Sequence, residues 1–163
     1  MKKIINKKGF TLIELLAVIS ILAIIAVIAT PNIVTLVDNS KKQEFVTDAI
    51  SFTSKAVYKY KFEKYEDLFT VKGNCKIITL RNTGIEAKTD PDGNNYDVDN
   101  SIIKICEKEN NGLKEKVSYI FLKSIAKESG QRVRGIYNNN ESDKTVKVDS
   151  LGTKDVLDLK DLK

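Results

Sequence analysis

The apolar residues near the start of the chain form one uninterrupted block. From Phe10 to Ala29 the sequence reads FTLIELLAVISILAIIAVIA, and the only charged side chain among these 20 residues is Glu14. An α-helix rises about 1.5 Å per residue, so the block spans roughly 30 Å, the thickness of the hydrocarbon core of a bilayer. The pattern therefore predicts a membrane-spanning helix.

Beyond Pro31 the chain becomes amphipathic. Apolar residues recur at spacings of three and four, and charged residues take many of the positions between them, which is typical of a helix with one buried face. The two patterns together predict one long helix from about Thr11 to about Tyr65, kinked at Pro31 because proline lacks a backbone donor. The predicted buried face contains Phe45, Ala49, Phe52 and Ala56.

The remainder of the chain alternates short apolar segments with polar turns, which predicts β-strands. Lys116–Leu122 is apolar on both faces and is predicted to be the central strand, and Asn110-Asn111-Gly112 predicts a hairpin turn. Lys76–Leu80 fits either a strand or a single helical turn ending at Gly84. The other predicted elements are strands at Ile102–Glu107, Arg132–Tyr137 and Thr145–Asp149, a polar turn at Asn138–Asp143, and a short helix or tail at Leu151–Lys163.

These elements predict an α+β fold. Consecutive strands joined by short turns imply an antiparallel sheet, and the second half of the long helix supplies the layer that packs on it. The predicted division of the chain is a basic leader at 1–9, a membrane-spanning helix at 10–30, its amphipathic continuation at 31–66, and a sheet domain at 67–163.

The distribution of charge changes how the basic composition is interpreted. The chain has 27 Lys and Arg against 22 Asp and Glu, a formal net charge of +5, which by itself invites a nucleic-acid-binding interpretation. Four of the lysines lie within the first nine residues, which contain no acidic side chain, and the other 154 residues hold 23 basic and 22 acidic side chains. No nucleic-acid partner is therefore indicated.

The composition also argues against an enzyme. Histidine is absent, which excludes Ser-His-Asp and Cys-His nucleophile systems and His-ligated zinc. The sequence has no phosphate-binding loop, nucleophile elbow, metalloprotease motif or dinucleotide fingerprint. We expect a protein without catalytic residues and without a cofactor.

Three interpretations fit a basic segment followed by an apolar block. A secretory signal peptide usually has a shorter apolar run and an A-x-A cleavage site, which is not obvious here. A plain single-pass anchor would bury Glu14 without a partner, at a cost of about 2.5 kcal/mol or more. The third interpretation gives Glu14 a role. If the apolar block spans the membrane, the lysines that precede it predict that the N-terminus stays on the cytoplasmic side.

The sequence Lys7-Lys8-Gly9-Phe10-Thr11-Leu12-Ile13-Glu14, followed at once by the apolar block, resembles the class III signal of type IV prepilins and pseudopilins. The resemblance implies that prepilin peptidase cleaves between Gly9 and Phe10 and that the new N-terminal Phe10 is methylated. It also implies that Glu14 pairs with the Phe10 amine of a neighbouring subunit during assembly. Pro31 corresponds to the helix proline of that family and is implied in assembly as well.

The resemblance implies a pilin fold and a structural role. The expected function is that of a type IV pilus subunit, which waits in the cell membrane as a single-pass protein and polymerises into an extracellular fibre for adhesion, aggregation or twitching motility. The implied partners are other pilin subunits, prepilin peptidase, and an assembly platform with its ATPases. Two alternatives remain: a pseudopilin of a type II secretion or competence (DNA-uptake) machine, and a monomeric membrane-anchored binding protein.

Two groups of residues in the sheet domain suggest further chemistry. Cys75 and Cys106 would close a loop of roughly 30 residues, and an exported domain permits oxidation, although two free buried cysteines fit the sequence as well. A loop that resembles the Pro-x-Gly-Asn-x-Tyr segment of some pilins is rich in oxygen ligands. This spacing is typical of turns, and it is a weak candidate for calcium. The candidate ligands are Asp90, Asp92, Asp97 and Asp99.

Overall fold

The computed structural model describes residues 9–85, 89–138 and 143–159. The chain forms two compact units, one comprising residues up to Asp38 and the other residues from Asn39 onwards. The predicted basic leader, apart from Gly9, lies outside the described residues, and so does most of the predicted turn at Asn138–Asp143.

The long helix is present, as the sequence predicts. Helix α1 comprises Leu12–Tyr60, 49 residues, with Pro31 inside it, and the prediction placed its end five residues too late. The chain leaves the α-helix because the N–H groups of Lys61 and Phe62 donate to carbonyls only three residues earlier, at 3.2 and 3.1 Å. Such bonds tighten a last turn. A short 3₁₀ helix at Glu63–Leu68 follows.

The unit up to Asp38 exposes its apolar side chains. By length and composition, α1 could cross a membrane, and the apolar stretch near the N-terminus is wholly exposed. Ser20, Thr30 and Thr35 donate their hydroxyl hydrogens to carbonyl oxygens four residues earlier, at 2.6–3.1 Å. These hydroxyls are thus satisfied within the helix, which is what an apolar surrounding requires of a polar group.

The second unit contains an antiparallel sheet, and the α+β fold class is confirmed. Its order is β1-β2-β4-β5-β6-β8, and β3 and β7 also pair with β5. The strands are β1 Thr70–Lys72, β2 Cys75–Thr79, β3 Asn95–Tyr96, β4 Ile102–Asn110, β5 Leu113–Ile125, β6 Arg134–Ile136, β7 Val146–Lys147 and β8 Val156–Asp158. Further 3₁₀ turns occur at Arg81–Thr83, Val148–Ser150 and Thr153–Asp155.

The predicted central strand is confirmed, because β5 pairs with β3, β4, β6 and β7. The predicted hairpin turn is also confirmed. Asn111 and Gly112 have φ values of 51° and 78°, which the two central positions of a type I′ turn require, and Asn110 pairs with Leu113. The segment at Lys76–Leu80 resolves into strand β2, and a separate 3₁₀ turn then ends at Gly84 in the left-handed conformation.

The prediction of a helix or tail after Leu151 was wrong. Within this segment Val156–Asp158 forms β8, which pairs with β6 and buries Val156 in the core. Strands β1 and β3 were also not predicted. Each of these elements has only two or three residues, which is too short for an apolar alternation to be recognised.

The predicted buried face of the helix is confirmed. Phe45, Ala49, Phe52 and Ala56 are at most 2% exposed, and they belong to one hydrophobic cluster with the inward-facing residues of β2, β4 and β5. Tyr96 from β3 completes this cluster. Its ring meets those of Phe45 and Phe52 edge-on, with centroids 5.2 Å apart in both cases.

Candidate functional site

The N-terminal segment places three sequence-predicted residues within six consecutive positions at the start of α1. Gly9 and Phe10 precede α1 and are exposed, and the side chain of Phe10 is 91% exposed. Glu14 lies in the first turn of α1. Pro31 lies far along the same helix and is not part of this cluster.

Thr11 and Glu14 form a reciprocal capping arrangement at the start of α1. The Thr11 N–H and hydroxyl donate to Glu14 Oε2 at 2.8 and 2.9 Å, and the Glu14 N–H donates to the Thr11 hydroxyl oxygen at 3.3 Å. This is the capping-box pattern, in which the first turn of a helix satisfies its own unpaired donors. The Glu14 carboxylate therefore has hydrogen-bond partners in its own helical turn. This differs from the single-pass-anchor interpretation, in which Glu14 was expected to have no partner.

The capping box leaves part of Glu14 available. Both accepted hydrogen bonds end on Oε2, and among the described residues no hydrogen bond reaches Oε1. The carboxylate is exposed and held at a fixed place one turn from the Gly9–Phe10 bond. Thr11 is the residue that the sequence reasoning missed, although the Thr-x-x-Glu spacing before an apolar run is a readable signal.

Comparison with known families gives one match at this segment. Residues 5–30 match the family model described as Prokaryotic N-terminal methylation motif. This is the leader signal of type IV prepilins and pseudopilins, so the resemblance inferred from Gly9, Phe10 and Glu14 is confirmed. Neither the curated proteins nor the solved structures give a match to the chain.

The matched motif supports a pilin- or pseudopilin-type protein, a class of structural subunits rather than enzymes. It implies processing by prepilin peptidase and assembly with pilin-type machinery. The motif and the apolar first half of α1 also fit a membrane-anchored protein.

The acidic loop before β3 is a structural turn within the second unit. Asp90 Oδ1 accepts hydrogen bonds from the N–H groups of Asp92 and Asn94, at 2.9 and 2.8 Å. The Asn94 amide donates to Asp90 Oδ2 and to the Arg132 carbonyl oxygen, at 3.2 and 2.8 Å. Gly93 adopts φ 89°, which favours glycine at this position.

This loop is joined to α1 by two polar contacts. Asp92 pairs with Lys41 at 2.9 Å and with Arg134, whose side chain is only 2% exposed. Tyr96 donates its hydroxyl hydrogen to the buried carboxylate of Asp48 at 2.9 Å. Burial, reinforced by the Asp48 charge, raises the pKa of Tyr96 far above its usual value. Asp48 lies on the apolar helix face, and its partner is 48 residues away in the sequence.

The four candidate calcium ligands have separate protein partners. Asp97 pairs with Lys123 at 3.0 Å and accepts hydrogen bonds from Asn100, whereas Asp99 pairs with Arg81. Among the described residues, no group of three or more His, Cys, Asp or Glu side chains is placed to hold a metal ion. The structure does not bring Asp90, Asp92, Asp97 and Asp99 together around one point.

Cys75 and Cys106 face each other across β2 and β4, where they form a disulfide. Cys106 is buried, and Cys75 is partly exposed on the face of the sheet that points away from α1. The bond joins the second strand of the sheet to the long hairpin formed by β4 and β5.

Removing the Asp92 carboxylate is expected to destabilise the second unit. The substitution Asp92→Ala leaves the buried Arg134 guanidinium without this counter-charge, and stripping one partner from a buried pair costs about 3 kcal/mol at the low end of the usual range. Urea unfolding of the full chain in detergent, followed by circular dichroism, measures the change. Asp99→Ala is the matched control, because that pair is exposed and its loss should not be measurable. Equal unfolding midpoints for the two variants would contradict this assignment.

Acid is expected to weaken the same unit. Burial raises the pKa of Asp92, but hydrogen bonds from Arg134 and Lys41 outweigh it, so the pKa lies below its usual value of 3.8. The pKa values of Asp97 and Asp143 are lowered in the same way, by Lys123 and Lys104 respectively. A lowered pKa contributes stability that is present above the unfolded-state pKa and lost as the pH falls through the folded-state value.

The thermal midpoint should therefore stay flat from about pH 7 to about pH 5 and fall below about pH 4. The fall should be shallower in Asp92→Ala, because this variant has already lost the carboxylate. An identical acid profile in the two proteins would show that Asp92 is not coupled to folding.

Proposed function

We propose that the chain is a structural subunit of a type IV pilus. Prepilin peptidase cleaves it between Gly9 and Phe10, Phe10 is methylated, and the mature chain polymerises through α1 into a surface fibre for adhesion, aggregation or twitching motility. The observation that carries the proposal is the methylation motif at residues 5–30, continuous with an apolar helix whose side chains are exposed among the described residues.

The chemistry of the first helical turn supports polymerisation. Cleavage before Phe10 creates an α-amine at the start of an apolar helix. In a surrounding of low dielectric, this charge requires a counter-charge. Glu14 Oε1, which accepts no hydrogen bond from the described residues, can supply one to the amine of a neighbouring subunit. A single buried pair of this kind selects the register between helices, as buried polar residues do in coiled coils.

The apolar surface of the first unit supports the same proposal. Before assembly the lipid bilayer covers it, with the N-terminus on the cytoplasmic side, and after assembly the helices of other subunits replace the lipid. The partners in this process are prepilin peptidase, an assembly platform with its ATPases, and other pilin subunits.

A pseudopilin of a type II secretion or competence machine is the second candidate, because the matched motif is shared by prepilins and pseudopilins. The two are distinguished by where the mature protein accumulates. Electron microscopy with an antibody against the second unit should label long surface fibres if the chain is a pilus subunit. Label confined to short assemblies in the cell envelope would favour the pseudopilin, and a monomeric membrane protein would contradict both.

A further inference from the structure

The sheet has a groove on the face that points away from α1. Side chains alternate between the two faces of a strand, so Ile103 and Ile105 enter the core while Ile102 and Lys104 point outward. The groove has a volume of about 710 Å³. We call it the outer groove and define it by Ile77, Ile102 and Phe121 on its floor and Lys72 and Lys104 at its rim.

The floor of the outer groove is apolar although no described layer covers it. Antiparallel sheets with one solvated face usually carry polar residues on that face. Here three large apolar side chains from β2, β4 and β5 are only partly buried. Removing these side chains from water would therefore be favourable, so the groove is suited to a binding partner.

The rim carries a positive charge that no other described residue neutralises. Lys104 pairs with Asp143, but Lys72 forms no ion pair with another described residue. Lys72 ends the short edge strand β1 and is exposed. An occupant with an apolar side chain and a carboxylate would satisfy both the floor and this lysine.

A second surface of the same chain carries three carboxylates against one lysine, Lys64. The 3₁₀ helix Glu63–Leu68, which we call the acidic turn, has no buried residue. Glu66 pairs with Lys76 at 2.7 Å, whereas Glu63 and Asp67 form no ion pair with another described residue. Phe62, immediately before the turn, is 43% exposed. The turn thus presents two carboxylates without an ion pair among the described residues, and it follows directly on an exposed aromatic ring that packs against Tyr58.

We propose that the acidic turn of one copy docks into the outer groove of a second copy. Lys72 then pairs with Glu63 or Asp67, and the Phe62 ring covers the apolar floor. This inference rests on the proposed function, because it needs many copies of the chain held side by side.

The symmetry of this contact suits a fibre. The two surfaces are different parts of the chain, so each copy offers one groove and one acidic turn. A contact between unlike surfaces does not close on itself as a two-fold dimer does, and it propagates into a ring or an open helix. It would add a contact between the second units to the packing of the apolar helices.

The test uses two variants of the full chain, co-expressed in one cell. The first variant, Glu63→Gln with Asp67→Asn, keeps Lys72. The second, Lys72→Gln with Lys127→Gln, keeps both acids, so that links from either lysine to these acids must join two chains. A carbodiimide joins lysine amines to carboxylates that lie in contact. A linked peptide that joins residue 72 to residue 63 or 67 can then arise only between two chains.

The expected result is that this linked peptide forms. Its yield should be about fivefold above that of any link from Lys127 to the same acids, because one exposed ion pair contributes up to about 1 kcal/mol. Lys127 is the matched control, because it is exposed and forms no ion pair with another described residue. The link between Glu66 and Lys76 within each chain shows that the reagent has reacted.

Three outcomes overturn the contact: no link from Lys72 when the Glu66–Lys76 link is present, a yield equal to that of Lys127, or a link from Lys72 to another protein only. The proposed function is tested separately, by electron microscopy of the same cells. If fibres are present but the linked peptide is absent, the proposed contact is contradicted and the proposed function as a pilus subunit is not affected. If the linked peptide forms in cells that have no fibres, the contact between copies is supported and the proposed pilus function is contradicted.

Discussion

Replacement of Glu14 by alanine is expected to leave cleavage intact and to reduce incorporation into the fibre at least about a hundredfold. In the proposed processing the peptidase acts at the Gly9–Phe10 bond, which lies before α1, so we expect cleavage to proceed without the carboxylate. The proposed assembly depends on the carboxylate, because removing one partner of a buried charge pair costs about 3–5 kcal/mol. The measurement is the ratio of this protein in the sheared fibre fraction to that in the membrane, with the processed mass of the membrane form.

Two further substitutions separate charge from helix capping. Thr11→Val removes the hydroxyl of the capping box but keeps the carboxylate, and loss of a cap costs about 1 kcal/mol, so we expect a several-fold reduction only. Glu14→Gln keeps an oxygen that can accept the Thr11 hydrogen bonds but removes the charge, so it should fail as alanine does. Normal incorporation of Glu14→Gln would contradict a role for the charge.

The disulfide between Cys75 and Cys106 is expected to contribute about 3.5 kcal/mol to the stability of the second unit. The two cysteines are 31 residues apart, and the chain-entropy account assigns a value of about this size to closing such a loop in the unfolded state. The two residues lie opposite each other in the ladder between β2 and β4, which continues over four further residue pairs, so we expect the strands to stay paired without the bond. The substitution of both cysteines by alanine should therefore lower the free energy of unfolding without changing the fold.

Urea unfolding of the oxidised protein, the reduced protein and the double-alanine variant measures this contribution. The reduced and double-alanine forms should share a midpoint well below that of the oxidised form. Alkylation without reductant should modify neither cysteine. Modification of both cysteines, or one common midpoint for all three forms, would contradict the bond and its contribution.

The sequence predicted the large elements because their patterns are long. Helix α1 extends over 49 residues, and its apolar period placed Phe45, Ala49, Phe52 and Ala56 correctly in the core. Strand β5 is 13 residues long, and its segment Lys116–Leu122 is apolar on both faces, which allowed its central position to be predicted. By contrast β1, β3 and β8 have two or three residues and exist because β2, β5 and β6 offer them a pairing edge. Nothing local in their sequence specifies such pairing.

The same distinction applies to the sites. Gly9, Phe10, Thr11 and Glu14 lie within six consecutive residues, so the motif can be recognised from the sequence alone, although the capping role of Thr11 was not predicted. The acidic loop could not be interpreted in this way, because the partner of Asp92 is Arg134 and the partner of Tyr96 is Asp48. A carboxylate looks like a metal ligand until the distant cation that neutralises it is known.

The intact mass of the mature protein tests the central claim most directly. The claim is that the methylation motif at residues 5–30 is used as a processing signal. Protein purified from membranes or fibres should lack residues 1–9 and carry one additional methyl group on Phe10. A mass that still includes Met1 to Gly9, or a cut after the apolar block instead of before it, would contradict the claim.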